Sequence, residues 1–136
     1  MLQLKIAPSL REIKKFKSSR NIEYAWVYMN IPQGKNRILD VGSVGSFLPI
    51  ILGQMGYDVW CLDVRRYEYE GLLSNIQSIL GDIRKTNFGD NFFDIVTVVS
   101  TIEHIGLGRY GDHFDLNGDK AAITEIKRIL KNTRRR

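Results

Sequence analysis

The sequence is 136 residues long, 43% hydrophobic and 26% charged, with a formal net charge of +5. That length fits one domain, and no apolar run approaches the roughly 20 residues needed to span a bilayer. The single cysteine, Cys61, excludes an intrachain disulfide framework and a cysteine-based zinc site.

The first 20 residues, MLQLKIAPSLREIKKFKSSR, lack the apolar core and small-residue cleavage site of a secretory signal, so a cytoplasmic protein with no membrane partner is expected. Residues 1–37 hold eight Lys or Arg against Glu12 and Glu23, and residues 127–136 hold six with no acid, so the middle of the chain is acidic. Solvated helix faces account for this pattern, with an anionic partner such as nucleic acid as the less favoured alternative.

In chain order, helix comes first. Ser9-x-x-Glu12 is a capping box followed by Leu10, Ile13 and Phe16 at helical spacing, and residues 22–29 form a second helical stretch stopped by Pro32 and Gly34. The period then changes. Residues 37–41, 57–62, 76–80 and 93–99 are short apolar runs rich in β-branched residues, as strands buried on both faces of a parallel sheet are. Residues 46–55 predict a helix between the first two runs, with Pro49 in its first turn and Gly56 at its end. Residues 65–75 are too polar and Gly-broken for a helix. A Gly-rich loop follows the fourth run, and residues 119–131 then predict a helix with Ala122, Ile123, Ile126, Ile129 and Leu130 on one face. The pattern is α/β, a doubly wound, mostly parallel Rossmann-like sheet flanked by helices. A single domain is expected, with helices over 1–35, the α/β core over 36–131 and a basic tail over 132–136.

The chemistry-bearing residues fall at strand ends. In RILDVGSVGSFLPI a strand closes on Asp40 and a Gly42–Gly45 turn opens a helix, where glycine lets a ligand approach the backbone. Asp63 ends the next strand about 20 residues on, where a carboxylate accepts from both hydroxyls of a ribose. Asp82, with Ile83 beside it, ends the third strand where a carboxylate accepts from an adenine amino group. The fourth strand delivers Ser100, Thr101, Glu103 and His104 to the same edge.

The order ILDVGSVGS, LDV, GDI, FDIVTVVSTIEHI and EIKRILK resembles the class I S-adenosylmethionine-dependent methyltransferases over about residues 36–131. It is closest to the small type-11-like branch that acts on small molecules. The resemblance implies S-adenosylmethionine as cofactor and S-adenosylhomocysteine as product. Asp40, Gly42, Ser43 and Gly45 would then line the methionine end, Asp63 the ribose, Asp82 the adenine, and Ser100 and Thr101 the methyl-bearing sulfonium. A dinucleotide dehydrogenase would need G-x-G-x-x-G, and a P-loop enzyme a Lys-Ser or Lys-Thr pair after its glycines; neither is present.

Two departures stand out. Val44 occupies a position where the family carries glycine, and a valine Cβ disfavours positive φ and limits backbone approach. The sequence also ends soon after the helix that follows strand four, without the family's C-terminal strands. That would leave strand four at the sheet edge, joined to a second copy as a homodimer or covered by loop 106–118.

The expected function is methyl transfer to a small-molecule acceptor, through oxygen, with His104 as base and Glu103 beside it. His113 is a weaker candidate, and Tyr24, Trp26 and Tyr28 are candidates to roof the site. The alternatives are an RNA- or protein-directed methyltransferase and a non-catalytic cofactor-binding subunit. No metal is implied.

Overall fold

The apolar runs become strands of one parallel sheet, whose central strand is covered from both sides. A computed structural model describes residues 19–34, 36–67 and 73–132. The capping-box helix expected at Ser9 and the basic tail beyond Asn132 lie outside them. The elements are α1 (Ser19–Asn30), β1 (Arg37–Val41), α2 (Leu48–Gln54), β2 (Asp58–Asp63), β3 (Ile76–Leu80), β4 (Ile95–Val98), a 3-10 turn (Ile102–His104) and α3 (Gly118–Ile129). The four strands are parallel in the order β3-β2-β1-β4, with Leu39 opposite both Trp60 and Val96.

Alternation along β1 divides the core into two layers. Ile38 packs with Tyr24, Leu48, Leu52, Tyr57 and Val59 on the side of α1 and α2. Leu39 and Val41 face Phe93, Ala122 and Ile129 on the side of α3. Central β1 is buried almost throughout, whereas β3 is mostly part-exposed, since it lies at the sheet edge with β2 as its one neighbouring strand among the described residues. In α3, Ala122, Ile126 and Ile129 face inward as expected, but Ile123 is exposed.

Among the described residues, β4 pairs only with β1. Just before β4 the chain leaving α3 comes alongside: Phe93 forms a parallel bridge with Leu130, and the Lys131 N–H donates to the Phe93 carbonyl at 2.8 Å. The covering loop expected from the sequence does not lie there. A groove along residues 95–99 is walled by Ile22, Trp26 and Val27 of α1, while residues 106–118 sit at the carboxyl edge. No helix among the described residues is long and apolar enough to cross a membrane.

Candidate functional site

A parallel sheet points all its strand ends one way, so the residues closing β1 to β4 converge on one cleft. The turn after β1 reverses direction at Gly42 (φ 75°) and Gly45 (φ 77°), conformations that favour glycine. Val44 has no positive φ. Its N–H donates to Asp63 Oδ2 at 3.1 Å, tying the turn to the end of β2. Valine is therefore tolerated where the family pattern led us to expect strain.

Gly42 is required for a second reason. A Cβ there would meet Thr101 Oγ1 at 2.3 Å, and that hydroxyl is already engaged with the Val99 carbonyl at 2.9 Å. A Cβ at Gly45 would point into open space. Both Gly→Ala changes cost backbone strain, but Gly42→Ala adds the clash. It should destabilise the fold by about 2 kcal/mol more than Gly45→Ala in denaturant titrations; equal losses would show that Thr101 yields freely.

Gly42, Asp63, Asp82, Ile83, Ser100, Thr101 and His104 line the cleft together. Ser43, Gly45 and Glu103 are not part of its lining, and Glu103 is mostly exposed. Asp40 lies beneath, 3% exposed, accepting from Thr97 Oγ1 at 2.6 Å. Burial pushes its carboxyl up to about 7; the Thr97 hydrogen bond opposes this and the nearby Asp63 charge adds to it. Ser100 adopts φ 48° and donates to both carboxylate oxygens of Glu23, at 3.0 and 2.9 Å, which fastens α1 to the end of β4.

Two acids at the edge are clamped by arginines. Asp63 accepts from the Arg65 backbone N–H (2.9 Å), Nε (3.1 Å) and Nη2 (3.2 Å) as well as from Val44. Asp82 accepts from the Arg84 backbone N–H (2.9 Å), Nε (3.0 Å) and Nη2 (2.6 Å). Burial alone would raise the Asp82 carboxyl, but the Arg84 hydrogen bonds and charge hold it below its ordinary value. Sequence reading missed both arginines, although Asp63-Val-Arg65 and Asp82-Ile-Arg84 repeat one pattern at consecutive strand ends.

Residues 105–117 form the roof. The Gly106 N–H donates to Asp112 Oδ2 at 2.7 Å, and a Cβ on Gly106 would meet the Asp115 carbonyl at 2.1 Å. Tyr110 lies under the Arg65 guanidinium, 4.3 Å from ring centroid to Cζ, and meets His104 edge-on at 5.8 Å. The aromatic roof expected from α1 is absent: Tyr24 is buried in the core, Trp26 and Tyr28 are exposed, and none of the three lines the cleft. From α1 it is Arg20 that reaches it. His113 is exposed and contributes its carbonyl, which accepts from Arg84 Nη1 at 2.8 Å.

The family model described as Caenorhabditis protein of unknown function, DUF268, matches residues 57–134. No curated relative matches the chain. Among solved structures the chain is similar to the Burkholderia thailandensis 1,6-didemethyltoxoflavin-N1-methyltransferase, crystallised with 1,6-didemethyltoxoflavin and S-adenosylhomocysteine. The TM-score is 0.67 at 12% identity, over 89% of this chain and 51% of that one. A TehB-like SAM-dependent methyltransferase from Corynebacterium glutamicum gives 0.61 at 21% identity, over 79% and 55%. A SAM-dependent methyltransferase from Methanosarcina mazei gives 0.59 at 19%, over 77% and 52%. The chain thus has the Rossmann-like fold of these enzymes and spans about half their length.

Proposed function

We propose that this chain, which belongs to the DUF268 family, binds S-adenosylmethionine in the carboxyl-edge cleft and transfers its methyl group to a small-molecule acceptor, through oxygen. The observation that carries the reading is the convergence of Gly42, Asp63, Asp82, Ser100 and Thr101 on one cleft, in the order of the four strands.

The residues present fit such a ligand. Gly42 borders the cleft without a side chain to obstruct it, and the Asp63 carboxylate, although only 6% exposed, borders it too. Asp82 is held by Arg84 through its backbone N–H, Nη2 and an Nε shared between both carboxylate oxygens, yet its side chain is 34% exposed and borders the cleft, where an amino group can take the place of the shared Nε contact. When bound, the cofactor supplies a methyl group on a good leaving group, so the hard chemistry travels with it. The protein's own work is placement. The turn at Gly42 to Gly45, with Asp40 behind it, receives the amino-acid end, Asp63 the ribose, and Asp82 with Ile83 the adenine. Ser100 and Thr101 border the reacting group. His104 would take the acceptor's hydroxyl proton as the methyl group leaves the cofactor's sulfur for the acceptor oxygen, with Glu103 3.8 Å from its Nε2.

Calorimetry with S-adenosylhomocysteine tests the reading. The wild-type protein should bind, and Asp63→Ala should lose roughly 1.5–3 kcal/mol, about 10- to 150-fold in Kd, because charge-assisted hydrogen bonds to two hydroxyls disappear. Equal affinities would remove Asp63 from the site.

A further inference from the structure

We infer that Arg65 occupies the ribose position of the cleft as a latch, and that a nucleoside's two vicinal hydroxyls enter by replacing its guanidinium on Asp63. The inference rests on the nucleoside reading proposed above and concerns what limits affinity there.

It follows from counting acceptors. A carboxylate offers about four lone-pair sites, and among the described residues Asp63 has four donors. Two are fixed backbone groups, Val44 N–H and Arg65 N–H. The other two are Nε and Nη2 of one movable side chain. A ribose presents two donors to a carboxylate. The guanidinium edge therefore stands in for the diol, and no ribose can bind Asp63 by both hydroxyls while it stays.

The matching clamp at Asp82 shows which arginine is built to leave. Arg84 holds its acid at 2.6 Å, is 12% exposed, and spends a further donor on the His113 carbonyl, which ties it to the roof. Arg65 binds at 3.1 and 3.2 Å, beyond the roughly 2.7–2.9 Å of a strong charge-assisted pair, and is 38% exposed. Releasing it costs little desolvation, and the Tyr110 face beneath it remains a partner for the cation. Arg84 is a fixed strut and Arg65 the latch.

A ligand that binds only the open form has its affinity reduced by the fraction of molecules that are open. Titrating S-adenosylhomocysteine into wild type, Arg65→Ala and Arg84→Ala separates the roles. Arg65→Ala should bind about two- to fivefold tighter, the range expected for removing a partly exposed ion pair. Added salt should tighten binding to wild type, by screening that pair, and leave Arg65→Ala unchanged. Arg84→Ala should bind more weakly, since the roof loses its tie. Thermal melting within a few degrees of wild type will show that Arg65→Ala is folded. Equal or weaker binding by Arg65→Ala, with wild type binding normally, overturns the latch and leaves the site reading intact. No binding by any of the three at millimolar ligand sinks the nucleoside reading and the latch with it.

Discussion

Replacing Asp40 with Asn should abolish a loss of stability that the wild-type protein suffers as pH rises from about 4 to about 7. The carboxyl is raised from its ordinary 3.8 to about 7, chiefly by burial. A group whose folded-state value lies above its unfolded one adds stability that is complete below the unfolded value and is lost as pH climbs through the folded one. Below pH 3.8 the acid is neutral in both states; above 7 the folded protein must hold a buried carboxylate beside Asp63. The interval corresponds to at most roughly 4 kcal/mol. Other carboxyls act in the opposite sense and at lower pH. Glu125 is held at about 2 by its hydrogen bonds to Arg128 and then Thr86, so its contribution is lost only in acid. Denaturant titrations from pH 4 to 8.5 should therefore show the Asn variant gaining on wild type steadily, by several kcal/mol at the alkaline end. The added amide offsets both ends alike, so slope rather than absolute stability is the measure. Parallel curves would mean that Asp40 titrates normally.

His104→Ala carries the other large effect. His104 sits on the 3-10 turn after β4, 27% exposed, with its ring against Tyr110 and at the cleft wall beside Thr101. A positioned base contributes typically 10²–10⁴-fold. Turnover, followed as S-adenosylhomocysteine release with hydroxylated small-molecule acceptors, should fall by about that factor. Affinity for S-adenosylhomocysteine should stay within about twofold, because the base serves the acceptor and not the nucleoside. The limb of the pH–rate profile set by an imidazole should vanish as well. A variant that keeps that limb, or loses cofactor affinity in parallel with rate, would return His104 to a packing role under Tyr110.

The strands could be read from the chain because their signals are local. Residues 37–41 and 76–80 are apolar over a strand's length and closed by a turn residue, and both strands form over those same residues. At β4 the expected 93–99 shortened to Ile95–Val98, because Phe93 turns instead to pair with Leu130. The acids at the ends of β2 and β3 were legible for the same reason, since a parallel sheet sends successive strand ends to one edge.

Hydrophobic periodicity and glycine placement are properties of neighbouring residues, so the sequence by itself determined the α/β class, the strand sites and the converging acids Asp63 and Asp82. Only the tertiary structure decided what those acids hold, because that depends on contacts between distant segments. Asp40 is buried under its turn, and that burial lifts its carboxyl even though the hydrogen bond from Thr97, 57 residues away, opposes it. Val44 avoids strain because its N–H finds Asp63. Tyr24 points into the core while Arg20, one turn earlier on the same helix, borders the cleft. The two Asp-x-Arg clamps are local in sequence, yet their different strengths come from the roof. His113 fastens one guanidinium, Tyr110 only supports the other, and neither partner can be read from the residues beside them.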